Sequence, residues 1–452
     1  MTFGLDRLQE VAAAVVAMAR ELGADGSEVS VSEGAEFTAQ VRLDEVEKVK
    51  EAGSSAVGVR VLAGRNTGSS YTSDFSPAGL QTMVRQALDS ARITTADPHA
   101  GMPDPAELGS IPGDLLLYSE DVVRLETPAK IDMARRAEQA ARDYDPRITN
   151  SEGAVFTSHV GRHAFANSQG FCGCYQTTSC SLSAVPVARS GDRMERDFWY
   201  TLSRSTGGLE SPEAVGRKAA SLVLRRLNPR KIASCRAPVV FEPRAGQSLV
   251  GHIFTAASGD AVYRKASFLA GRLGERVASP AVTVVDDGTL PGMFGTSPFD
   301  DEGVPSRRTV VVDRGILASY LLNTYTARKL GLKTTGNASR GITGNPGVGH
   351  GNLFMEKGST GVADLLKLAG SGLYVTELMG FGYNPVTGDY SRSASGLWIE
   401  NGELAYPVSE VTIAGNMKDI LMGIEAVADD LEFRGSVATP TLLVREMTIS
   451  GS

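Results

Sequence analysis

Cysteine, histidine and tryptophan are scarce in this sequence. The 452 residues include 4 cysteines, 5 histidines and 2 tryptophans. So few thiols, with no export signal ahead of them, match a reducing compartment, and a bacterial-type cytoplasm is the expected location. No run approaches the roughly 18 consecutive apolar residues of a membrane-spanning helix. The opening MTFGLDRLQEV carries Asp6 and Glu10 where a signal peptide would be basic and then apolar. Lys and Arg form no block and the net charge is −7, which disfavours direct contact with nucleic acid. A GxSxG nucleophile elbow is also missing.

What is present belongs to a globular protein: 42% hydrophobic residues, 21% charged residues, and 50 glycines that call for many turns. The length exceeds one ordinary core, so two or more domains are expected. Leu5, Leu8, Val11, Val15, Met18 and Leu22 form one helical stripe ended by Gly23. Residues 27–65 alternate as strands, EFTAQVRLDEVEKVKEAG among them. Ser76-Pro77, Thr127-Pro128 and Ser211-Pro212 each open a helix. Residues 147–205 read as strands, and 95–114 as a surface connection rich in Pro, Asp and Gly. Beyond about 230–236 hairpins dominate, with turns at Asp313–Gly315 and Asn401-Gly402. The expected class is α+β. An N-terminal α+β domain of helices on a sheet spans 1–232, with a sub-boundary near 95–120. A C-terminal domain rich in antiparallel sheet spans 233–452.

Four stretches invite chemistry. SLVGHIFTAAS puts His252 on an amphipathic helix, where a zinc peptidase places its first imidazole. Ile253 stands at the position of the activating carboxylate, and Ala256 and Ala257 offer no second ligand. His159, His163, Cys172, Cys174 and Cys180 lack CxxC-type knuckles, and their even spacing puts the three cysteines on one strand face. Core packing is the simpler reading. GNPGVGHGN (344–352) does not join a buried strand to a helix as a phosphate cradle must, so a flexible loop bordering a cleft is expected. The last stretch, GYNPVTGDYSRSASGLWIENGELAYPVSEVTIAGN (382–416), is a turn, a run of small residues and a hairpin. Ser391, Ser393, Ala394, Ser395 and Gly396 would let a peptide backbone add to a sheet edge.

Together with LVGHIFTAASGDAVYRKASFL (249–269) and the tail at 440–452, this last stretch resembles the TldD/PmbA family, the modulator of DNA gyrase family, and within it the PmbA/TldE type. The resemblance implies a metalloprotease of two different subunits. The TldD-type subunit carries a His-Glu-xxx-His helix and a later cysteine that bind zinc, and the PmbA/TldE-type subunit is its metal-free partner. Carried over by position, His252 matches the first histidine, Ile253 replaces the glutamate, Ala257 replaces the second histidine, and DDLEFRGSVATPTLL contains no cysteine. The site is therefore expected to be degenerate, with no catalytic residue and no metal held by this chain. Zinc is expected in a TldD-type partner.

The expected function is thus that of a subunit of a cytoplasmic metallopeptidase that degrades or processes unfolded peptides. His252, Tyr263, Arg264, Lys265, Asn384, Thr387, Gly388, Ser393 and Ser395 are the candidates to line the peptide or partner cleft. The alternatives are a homodimeric scaffold that binds peptide without cleaving it, and a hydrolase built on the 159–180 cluster.

Overall fold

The computed structural model describes residues 4–451. In the first half, α1 (Leu5–Glu21) precedes β1 (Gly26–Arg42), β2 (Glu45–Ala63) and β3 (Asn66–Thr72), and α2 (Pro77–Ile93) follows. Next come α3 (Glu120–Arg124), α4 (Thr127–Arg142), β4 (Ile148–Asn167), β5 (Cys172–Ser190), β6 (Arg193–Arg196), β7 (Trp199–Ser203) and α5 (Pro212–Leu224). The strands form one seven-stranded antiparallel sheet, ordered β3-β2-β1-β4-β5-β6 with β7 also on β5.

Strand period decides what each face of this sheet meets. Val29, Val31, Phe37, Ala39 and Val41, all at odd positions of β1, are buried under helices. The pair α1 and α2 covers one end of that face, and α4 with α5 covers the other. Ser76 Oγ accepts the Gly79 N–H at 3.1 Å and Ser211 Oγ accepts the Ala214 N–H at 3.2 Å, each cap followed by proline. The alternating stretch expected through 42–46 is in fact broken by a turn. Leu43 and Asp44 adopt φ of 51° and 69°, and the Glu138 carboxylate of α4 accepts both of their N–H groups, at 2.6 and 3.0 Å. A distant helix, rather than a local turn residue, supplies the partner that holds this bend.

The second half runs β8 (Cys235–Phe241), α6 (Pro243–Ala257), α7 (Gly259–Tyr263), β9 (Val284–Asp287), β10 (Arg308–Asp313) and β11 (Ile316–Leu317). It continues with α8 (Thr324–Leu330), β12 (Ala338–Ser339), β13 (Gly347–Val348), β14 (Asn352–Met355) and α9 (Val362–Ala369). The last elements are β15 (Gly372–Met379), β16 (Asp389–Glu400), β17 (Glu403–Asn416), α10 (Met417–Met422), β18 (Ile424–Val427), β19 (Val437–Ala438) and β20 (Leu442–Ser450). The order β17-β16-β15-β8-β20-β18, with β17 also bonded to β20, closes a barrel. Helix α6 packs into the main core beside it, through Leu249, Ile253 and Ala257. The whole is α+β, as expected.

The even face of β1 meets this second half. Glu28, 0% exposed, receives Arg60 at 2.8 Å from the neighbouring strand and Arg340 at 3.2 Å from across the seam. A Cβ on Gly58 would strike the Ile342 main-chain carbonyl, so the two halves approach backbone to backbone there. The connection after α2, expected at the surface, straps the seam. Gly109 N–H donates to Gly303 O at 3.0 Å, Ile111 N–H to Pro298 O at 2.9 Å, and Gly292 N–H returns to Leu115 O at 2.8 Å.

Candidate functional site

Helix α6 presents two different faces at adjacent positions. Ile253 and Ala257, one turn apart, are 1% and 0% exposed within the main core. His252, half-buried, turns towards β16 and the segment before it. The Tyr383 ring stacks on the imidazole with centroids 4.0 Å apart, and Tyr390 meets its edge at 5.9 Å. Tyr383 Oη also donates to the His252 carbonyl at 3.3 Å. The imidazole Nε2 is buried and has no hydrogen-bond partner among the described residues. Burial, and then the positive charge of Arg392, push the His252 pKa down to about 4, so the ring is neutral at neutral pH.

The turn at 384–389, which follows Tyr383, is held by its own polar groups. Asn384 Oδ1 accepts the Val386 N–H at 2.9 Å, Gly388 N–H donates to Asn384 O at 2.8 Å, and Thr387 Oγ1 donates to Asp389 at 2.6 Å. Asn416 Nδ2 reaches Thr387 O at 3.0 Å. Gly388 has φ of 86°, and a Cβ there would lie 2.7 Å from Asn416 Oδ1, which accounts for glycine at this position. Phe268 N–H donates to Pro385 O at 2.9 Å, tying the turn to the segment that follows α7. Asn384, Thr387 and Gly388 thus lie in the turn between Tyr383 and Tyr390, the two rings that meet His252.

Tyr263 and Arg264 lie elsewhere. Arg264 Nε donates to Tyr263 Oη at 2.8 Å, and Tyr263 meets Tyr325 edge-on at 5.8 Å. Both line a cavity of about 550 Å3 at the seam, shared with Arg60, Asp97, Glu302 and Asn345. Lys265, exposed with φ of 56°, faces a separate hollow beside Tyr320.

Strand addition along 391–396 is the expectation that the structure overturns. Ser393 pairs with Met379 of β15 and Thr412 of β17, and Ser395 pairs with Glu377, so β16 is an interior strand without a free edge there. Its small residues serve the barrel itself: a Cβ on Gly396 would strike the Tyr374 carbonyl. Ser395 is 6% exposed, whereas Ser393 faces outward. The glycine-rich loop at 344–352 is likewise held rather than flexible. Asn345 Oδ1 accepts Arg60 Nε–H at 2.8 Å, Pro346 O accepts Asn323 Nδ2–H at 2.8 Å, and Val348 N–H donates to Asp260 at 3.1 Å.

The 159–180 cluster does not assemble. His163 stacks on Tyr175 at 5.2 Å while His159 faces Glu36 at 3.9 Å. Cys180 is buried and its pKa is pushed up to about 12, Cys174 packs under α1, and Cys172 is exposed. Tyr383, Tyr390 and Arg392 are the neighbours of His252 that sequence reasoning missed. The alternation of Tyr390, Arg392 and Ala394 along one strand face was the available signal.

Comparison with known proteins gives the chain its family. Family models match in three consecutive parts: PmbA/TldA metallopeptidase domain 1 over 27–91, the central domain over 120–227 and the C-terminal domain over 234–451. Metalloprotease PmbA of Escherichia coli O157:H7 is 42% identical over 94% of this chain and 92% of its own length. The Metalloprotease PmbA homolog of Haemophilus influenzae is 38% identical over 98% and 96%. A solved Bacteroides thetaiotaomicron protein, described as a candidate modulator of DNA gyrase, superposes with a TM-score of 0.91 at 28% identity, covering 99% of both chains. By domain models, sequence identity and fold together, this chain belongs to the PmbA/TldD metallopeptidase family.

Proposed function

We propose that this chain is the non-catalytic, PmbA/TldE-type subunit of a two-subunit metallopeptidase acting on unfolded peptides. The observation that carries this reading is the donor set around His252. A peptidase zinc ion requires three protein ligands and a carboxylate that takes a proton from the bound water. Here the positions corresponding to the carboxylate and the second histidine are Ile253 and Ala257, both committed to the core. The remaining neighbours are two phenols and the guanidinium of Arg392, whose positive charge opposes a cation. Among the described residues no three His, Cys, Asp or Glu side chains converge as a metal site. These residues do not fit zinc, and no chemical step is assigned to them.

On this reading the zinc, its ligands and the activating carboxylate belong to a TldD-type partner. This chain contributes the surface carried by the 384–389 turn and Tyr383, with Tyr263, Arg264 and Lys265 as further contacts for peptide or partner. The test is reconstitution. The purified chain alone is expected to leave an unfolded casein substrate intact, and addition of a TldD-type subunit is expected to give cleavage that a zinc chelator abolishes. Metal analysis of the lone chain is expected to show no stoichiometric zinc. Chelator-sensitive cleavage by the lone chain, lost on His252→Ala, overturns the proposal.

A further inference from the structure

The last part of the glycine-rich loop, residues 349–351, has no part in the reading above, yet it walls a second cavity of about 170 Å3. Gly349, His350 and Gly351 line it, opposite Tyr175 of β5, with segments following β9 and preceding β12 completing the enclosure. Asp286, 2% exposed, is part of the lining. Asn337 Nδ2 donates to its Oδ2 at 2.6 Å, while Oδ1 is buried without a hydrogen-bond partner among the described residues. Burial pushes the Asp286 pKa up; Asn337, the His350 ring and the Gly351 N–H oppose that shift without supplying Oδ1 with a well-formed bond. Leaving a buried acceptor of this kind unmatched is unfavourable, more so when it is charged.

Nearby acids have their partners within the fold. Asp300 accepts the N–H groups of Glu302, Val304 and Ala338. Asp287 accepts the N–H and hydroxyl of Thr289. Asp301 also lines the cavity and accepts the Arg340 N–H at 2.7 Å. Two aromatic rings complete the lining: Tyr175 and Phe299, in edge contact at 5.6 Å. Glycines keep the backbone close and the space open. A Cβ on Gly351 would lie 2.8 Å from Gly288 Cα, and one on Gly295 would strike the Gly351 carbonyl.

An unmatched carboxylate oxygen beside aromatic rings favours a small organic cation. No three metal-ligating side chains converge there among the described residues, which disfavours a bare metal ion. Exposed Arg307 at the lining offers a partner for a carboxylate on the same ligand. We infer that this cavity binds the primary ammonium group of a free amino acid or of a peptide amino terminus, with Asp286 Oδ1 as its acceptor.

The test uses the lone, full-length chain and needs no peptidase activity, so its outcome is separable from that of the subunit assignment. Glycinamide is expected to bind saturably in an NMR titration, shifting the Gly349 and Gly351 amides, and N-acetylglycinamide to bind at least about tenfold more weakly. Asp286→Asn is expected to weaken glycinamide by a similar factor while keeping the melting profile. Glycine tighter than glycinamide, with the difference lost in Arg307→Gln, identifies a free amino acid as the source; triglycinamide tighter than both identifies a peptide terminus. The inference is overturned by equal binding of the acetylated probe, by shifts that avoid this cavity in the unmodified chain, or by a response to potassium or calcium with none to glycinamide.

Discussion

The Tyr383 ring lies flat against His252, centroids 4.0 Å apart, and its hydroxyl donates to the same residue's backbone carbonyl. An imidazole so covered, with its Nε2 buried and a guanidinium nearby, is held neutral. The His252 pKa of about 4 lies below its ordinary 6.5, so the unfolded chain binds a proton here at a higher pH than the folded chain. The contribution of His252 to stability is therefore intact above about pH 6.5 and is lost as pH falls from there through 4. An NMR titration is expected to find the ring unprotonated at pH 5. Arg392→Gln, which removes the repelling charge, is expected to raise that pKa; an unchanged value would remove Arg392 as a cause.

Placing a carboxylate and an imidazole beside His252 is expected to yield no peptidase. Ile253→Glu buries a carboxylate in the main core, where Ile253 is 1% exposed, and is expected to cost about 3 kcal/mol or more. Denaturant unfolding of Ile253→Glu and of Ile253→Glu with Ala257→His measures that loss. Neither variant is expected to gain chelator-sensitive peptidase activity.

The seam depends on Glu28. It is fully buried between Arg60 and Arg340, themselves 6% and 2% exposed as side chains. Glu28→Gln leaves both guanidinium groups buried without their counter-charge, and a loss of about 3–5 kcal/mol is expected by equilibrium unfolding. An effect below about 1 kcal/mol would mean that the seam is held by its other contacts.

Glu302 sets the pH response of the same seam. Burial, then repulsion from Glu28, raise its pKa from 4.5 to about 7. The folded chain therefore keeps a proton that the unfolded chain releases, and this contribution is complete below pH 4.5 and lost as pH rises through about 7. Glu302→Gln keeps an acceptor for the Thr324 N–H, which now bonds Oε2 at 2.9 Å. Its melting temperature is expected to equal that of the unmodified chain near pH 5 and to exceed it near pH 8.

Much of this was legible in the chain because the signals are local. Helix starts at Ser76-Pro77 and Ser211-Pro212, the odd–even sorting of β1 and the Asn401-Gly402 hairpin each depend on residues within a few positions of one another. The absence of a carboxylate at Ile253 and of an imidazole at Ala257 needed only the helix register and the family resemblance. The turn at Leu43-Asp44 escaped because its hydrogen-bond partner, Glu138, lies 95 and 94 residues away.

Sequence by itself therefore determined the α+β class, the run of elements and the apolar side chains that follow His252 on α6, since periodicity, capping and residue identity act over one or two turns. Tertiary structure alone decided that β16 is enclosed on both sides, that Tyr383, Tyr390 and Arg392 gather on His252, and that Asp286 faces a cavity with one oxygen unmatched. Barrel closure through β17 and β20 and the packing of one half on the other join residues distant in the chain, and no local pattern encodes which of them will meet.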